Sequence, residues 1–284
     1  MREPKTVDVL LLILLGAIWG SAFFNIKIAT YTYDPITLVF VRVFFALVAL
    51  SFYCLYKNVK ILAFSKDWKI YALVGLTNIT IPFLLIAYGT NMVDSYLSAI
   101  LMSTTPLSGA ILANFFIANE KLNTLKTTGV IVGFLGIIFL FFDKLVITDA
   151  NLFYAVVILC GSTFYVIGGV LTLKFLKNEG NENVVTSTIL WSLIFIFPFC
   201  LFQEPWENLN PSLESTLSLI YLGVFPTGVA FLLRFHILTK NGIIFQQSVA
   251  YLIPIFGVIF GFLVMDEQIT WKVLASLIII ISGI

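Results

Sequence analysis

Three formal charges lie more than two residues inside the apolar runs of this 284-residue chain, and all three are positive: Lys27, Arg42 and Arg234. A cation at mid-bilayer costs about 2.5–3.5 kcal/mol on insertion scales, so it turns to protein, to water or to an anion. Arg42 lies seven residues into its run, roughly 10 Å from the near surface by helix rise. Its sequence-level partners are Asp34, Asp94 or the carboxylate of a substrate. Lys27 shares a helical face with Trp19 and Phe23 and sits near the end of its run, where its stem snorkels to the surface. Arg234 and His236 close another run, and snorkelling is the expectation there too.

Uncharged polar groups gather at similar depth. Asn78, Ser103, Thr104, Gln247 and Tyr251 join Arg42 and Trp19 as candidate substrate-binding residues, and Gln247, Tyr251 and Pro254 share one face at i, i+4, i+7 spacing. The competing reading is hydrogen bonding between helices. Four of the nine prolines, Pro82, Pro106, Pro226 and Pro254, lie near the middle of apolar runs. Proline frees a backbone carbonyl, which lipid tolerates only where protein or cavity water satisfies it. These four are the candidate hinges, and their carbonyls the candidate lining of a cavity.

Other chemistries lack their residues. No Asp or Glu falls in the middle third of a run, His236 is the sole histidine, and Cys54, Cys160 and Cys200 are far apart. That leaves no nucleophile with a base, no metal or cofactor site and no obvious proton relay. An enzyme is therefore not expected. The net charge of +1 and the want of a basic stripe exclude a nucleic-acid partner.

The elements that must position these residues are transmembrane helices. With 60% hydrophobic and 11% charged residues and a mean hydropathy of +1.04, the chain is an integral membrane protein whose partner is the lipid bilayer. Runs of about 20 apolar residues start at Val7, Pro35, Trp68, Ser95, Leu125, Leu152, Val184, Ser215, Ile243 and Trp271. The last stops after fourteen residues at Ile284, so the natural C-terminus is expected further on. Ten runs with an inside N-terminus place eleven Lys and Arg on the inner face, against Lys144 and Lys272 outside. Both termini are then cytoplasmic.

Gly75 to Ala118 aligns without a gap on Gly223 to Asp266, 148 positions later. Gly75, Phe83, Pro106 and Gly109 meet Gly223, Phe231, Pro254 and Gly257. The fold class is accordingly all-α, ten transmembrane helices as two inverted five-helix repeats, over residues 1–146 and 147–284. Repeat position sets Trp191 roughly opposite Arg42 and Gly168 opposite Lys27, so a site built on these positives is one-sided; Trp191 is counted in the candidate substrate-binding set. The small-residue faces Gly16-xxx-Gly20, Gly129-xxx-Gly133 and Gly257-xxx-Gly261 are packing surfaces, with a homodimer through helix five as the alternative.

Trp19-Gly20-Ser21-Ala22-Phe23 with Lys27, Pro35 with Arg42, Pro106-Leu107 with Glu120, Gly129 and Gly136, and Pro254 with Glu267 run in an order that resembles the drug/metabolite transporter superfamily, in particular its EamA-like ten-helix members. The resemblance covers the whole chain. It implies a transporter with a central cavity between the halves. The resulting expectation is a carrier in the bacterial inner membrane that moves a small polar or anionic metabolite, an amino acid or related organic acid, outward by alternating access. A nucleotide-sugar or sugar-phosphate exchanger and a channel are the alternatives.

Overall fold

In the computed structural model of the protein, residues 3–92, 101–117, 121–142, 149–202, 211–265 and 270–283 are described. Asp94, Glu120, Lys144 and Glu267 fall outside them, as does the side chain of Lys27. The described residues form ten helical rods with no strand. They are α1 (Thr6–Ala29), α2 (Pro35–Tyr56), α3 (Trp68–Gly75, continued by Leu76–Thr80 and Ile81–Met92), α4 (Thr105–Phe116) and α5 (Thr124–Phe141). The second half holds α6 (Asp149–Phe175), α7 (Asn181–Phe202), α8 (Leu213–Leu222, Gly223–Val229 and Ala230–Asn241), α9 (Ile243–Gln247 and Val249–Met265) and α10 (Trp271–Ser282). Five of them are long and apolar enough by themselves to cross a membrane.

Local chemistry sets the ends. Asp34 accepts from the backbone N–H groups of Ile36 and Thr37, with Pro35 at the first helical position. Asn123, Ser212 and Thr270 cap α5, α8 and α10 in the same manner. Gly242, at φ 96°, ends α8 and turns the chain directly into α9, a conformation that disfavours a Cβ. Large apolar side chains such as Leu10, Phe52, Phe115, Leu135, Phe199, Leu263 and Ile278 stay exposed on the rods, a surface that suits lipid.

Each half lends its opening helix to the other. α1 packs against α8 and α9, while α6 packs against α3 and α4. Glycines let the backbones close: a Cβ on Gly20 would come within 2.5 Å of Phe256, and one on Gly168 within 2.5 Å of Asn78. The small-residue face of α5, the alternative place for a dimer, packs within the chain. Gly129 and Gly136 of α5 pack on Gly283 and Ile280, and Gly133 packs on the Tyr251 ring.

The long rods α3 and α8 share a feature that the periodicity did not show. Each widens into a π-helical turn, Leu76–Thr80 in α3 and Gly223–Val229 in α8, and a shift of 148 positions lays the first inside the second. In both, a threonine hydroxyl reaches back to the carbonyl five residues before it, Thr80 to Gly75 at 3.4 Å and Thr227 to Leu222 at 2.9 Å. Such single π-turns mark positions where a helix re-aims side chains.

Candidate functional site

The two π-turns hold the two arginines, each across the boundary between halves. Arg42 of α2 donates from Nε to the Thr227 hydroxyl at 2.6 Å and lies 4.5 Å over the Phe83 ring. Arg234 of α8 donates from Nη1 to Asn78 Oδ1 and from Nη2 to the Tyr165 carbonyl at 3.1 Å. Its guanidinium stands 5.2 Å from the Tyr165 ring and 5.5 Å from Phe231. Phe83 and Phe231, equivalent in the repeat, meet edge to face at 6.1 Å, and the Tyr165 ring lies 6.1 Å from Phe83. Two cations are thus held by neutral acceptors and aromatic faces, interactions that orient a guanidinium without cancelling its charge.

The arginines differ in access. Arg234 is 1% exposed, with the Phe235 ring 5.9 Å from its guanidinium. Arg42 is half-buried, and among the described residues its one hydrogen bond is the Nε contact with Thr227. Among the described residues neither terminal amino group has a hydrogen-bond partner, which leaves a fork that matches a carboxylate. Asp34 does not take them, because its Oδ1 is committed to capping α2.

Arg234 is the main correction to the sequence expectation. Rather than snorkel to the surface, it turns inward, since helix eight continues two turns past it and Asn78 offers an acceptor at depth. Asn78 is fully buried with Nδ2 unpaired. Trp19 reaches the cluster at its edge: its indole N–H donates to the Pro226 carbonyl at 2.9 Å, and its ring touches Phe231.

The other expected residues lie elsewhere. Trp191 stacks on Trp68 at 5.1 Å and donates to the Ala63 carbonyl at 2.8 Å. It pins the loop between α2 and α3 and does not mirror Arg42. Gln247 and Tyr251 do not form one stripe, because α9 breaks at Ser248 between them. Gln247 packs on Gly109 of α4 with Nε2 unpaired. Tyr251 is fully buried, and its hydroxyl donates to the Val130 carbonyl of α5 at 2.7 Å. Tyr251→Phe should therefore lower stability by about 1 kcal/mol while transport per folded molecule stays normal, which thermal unfolding and flux on matched amounts of protein would check.

Two of the four freed proline carbonyls accept a threonine hydroxyl within the protein. Thr105 donates to Met102, four residues before Pro106, at 3.0 Å, and Thr227 donates to Leu222, four before Pro226. Thr104 bonds the Leu101 carbonyl at 2.7 Å, and Ser103 is buried. Pro82 lies two residues past the π-turn of α3, and Pro254 is buried inside α9. A separate groove of about 230 Å³ runs along one apolar face of α6 past Cys160 and Thr163; it includes neither arginine. Among the described residues no group of His, Cys, Asp and Glu is arranged to hold a metal.

Comparison with known proteins agrees with this architecture. An uncharacterized transporter of Bacillus subtilis (strain 168), YoaV, is 25% identical over 268 residues, covering 94% of this chain and 91% of its own. An uncharacterized transporter of Archaeoglobus fulgidus is 24% identical, covering 97% and 95%. Protein PagO of Salmonella typhimurium is 24% identical, covering 86% and 80%. A solved crystal structure matches at a TM-score of 0.85 and 14% identity, over 99% of this chain and 96% of that one, a likeness that shows the fold alone. The model of the EamA-like transporter family matches twice, over residues 7–142 and 152–284. With ten rods in two halves that each carry one match, the chain belongs to the EamA-like transporter family.

Proposed function

We propose that this membrane transporter carries a small metabolite bearing a carboxylate, an amino acid or related organic acid, by alternating access and in the outward direction. The observation that supports this reading is Arg42: a half-buried guanidinium at membrane depth, oriented by Thr227 and Phe83, with its terminal amino groups unpaired. A site of two cations with no bonded carboxylate among the described residues carries a positive potential, which draws in anions and turns away free cations. The lysine-rich end of the bundle is read as cytoplasmic. Opening and closing then act between halves that grip each other through Arg42, Arg234 and Trp19.

The test is a thermal-shift screen of the purified protein against carboxylates, sugar phosphates, nucleotide sugars and organic cations, followed by counterflow in liposomes. A ligand of the folded state adds about 2.7 kcal/mol of apparent stability at a hundredfold excess over its dissociation constant. Carboxylates should raise the unfolding temperature and show saturable counterflow. Transport of organic cations with no response to anions would overturn the reading, and non-saturating conductance would indicate a channel.

A further inference from the structure

Six buried side-chain atoms between the arginine cluster and the lysine-rich end have no hydrogen-bond partner: Asn78 Nδ2, both amide atoms of Asn241, both of Gln246, and Gln247 Nε2. Beyond them, among the described residues, Thr37 Oγ1 alone is in that state. Buried polar groups are ordinarily paired, and so one-sided a concentration of exceptions calls for a role. Asn241 lies two turns beyond Arg234 on the same face of α8. Gly169 of α6 brings the elements together, since a Cβ there would lie 3.0 Å from Ile243 at the start of α9 and 3.9 Å from Arg234 Nη2. The chemistry is lopsided: four amide nitrogens against two amide oxygens, beside a guanidinium with donors to spare.

We infer that Arg234, Asn78, Asn241, Gln246 and Gln247 form a second anion-binding station, reached from the lysine-rich end and sealed in this state. The inference rests on reading the cluster as an anion site and extends it. Arg42 offers its fork in the present state, whereas Arg234 is closed off with its donors turned into the protein. Opening of the lysine-rich end hydrates the orphaned amides and uncovers Arg234, so a carboxylate moves from one guanidinium to the other across Tyr165. The repeat supports such a handover, because the acceptors Thr227 and Asn78 sit on equivalent π-turns of opposite halves.

The experiment uses the full chain with Cys54, Cys160 and Cys200 replaced, in vesicles that present the lysine-rich end to the reagent. Asn241→Cys, Gln247→Cys and an exposed reference, Lys240→Cys, are treated with an anionic sulfonatoethyl or a cationic trimethylammonioethyl methanethiosulfonate. The two buried positions should react, and relative to Lys240→Cys they should favour the anionic reagent by about fivefold or more. That preference should vanish in Arg234→Gln, persist in Arg234→Lys and survive Arg42→Gln. If Arg234→Gln fails to fold, Asn78→Asp, which cancels the charge in place, should abolish the preference instead. Unreactive cysteines at both positions beside a reactive Lys240→Cys, or a preference indifferent to Arg234, would overturn the station. The reagent is itself the anionic probe, so failure to find a transported carboxylate leaves this readout intact. Conversely, failure here leaves the ligand screen and the Arg42 titration intact.

Discussion

Arg42→Gln should weaken binding of a carboxylate substrate by about tenfold or more, because a hydrogen bond to a charged partner contributes roughly 1.5–3 kcal/mol. The variant should fold, since glutamine still reaches toward Thr227 and, among the described residues, no carboxylate loses its counter-ion. Arg42→Lys should recover only part of the affinity: an ammonium keeps the charge but lacks the planar fork and the flat contact with Phe83. Equilibrium binding to purified protein gives the answer, with thermal unfolding as the folding control. Equal affinity in all three proteins would remove Arg42 from the site. Unfolded Arg42→Gln rescued by a second neutralisation would make it half of a structural pair.

The second large effect is expected at Asn78, where two substitutions of similar size should act in opposite directions. Asn78→Leu removes the acceptor of Arg234 Nη1 in a place that is fully buried. An unsatisfied charged donor costs about 1.5–3 kcal/mol or more, so the unfolding temperature should fall and little folded protein should accumulate. Asn78→Asp places a carboxylate at the same atom and completes an ion pair. Folded protein should persist, with unfolding temperature unchanged or raised, while anion transport drops by an order of magnitude because one of two positive charges is neutralised. Normal transport by Asn78→Asp would show that the charge of Arg234 plays no part in function.

The rods were legible because lipid requires long apolar runs, and the polar breaks at Asp34-Pro35 and Asn241-Gly242 carry their cap chemistry openly. Arg42 stood out for the same reason: a cation deep in an apolar run has few explanations. Depth along the chain says nothing of which way the Arg234 side chain turns. Its inward turn depends on Asn78, 156 positions away. Phe83, Tyr165 and Phe231 passed unnoticed among 28 phenylalanines and 11 tyrosines, although Phe83 and Phe231 were already matched in the repeat. The place of Trp191 depends on the loop holding Phe64 and Trp68, which folds back over it. The stripe of Gln247 and Tyr251 assumed an unbroken helix, which Ser248 interrupts.

The exchange of opening helices has a consequence for how the chain is made. α1 leaves the ribosome first, yet its docking surface is among the last parts to appear. The Trp19 indole waits for a carbonyl 207 positions later, which at 5–20 residues per second is about 10–40 s of synthesis. Throughout that interval the backbone face at Gly16 and Gly20, destined for Leu252 and Phe256, borders only lipid and whatever assists membrane insertion. α6 has no such delay, since α3 and α4 are already in place when it emerges. Biogenesis is therefore as lopsided as the finished bundle is nearly symmetric: the second half assembles onto a prepared surface, and the first helix is an orphan until the ninth has entered.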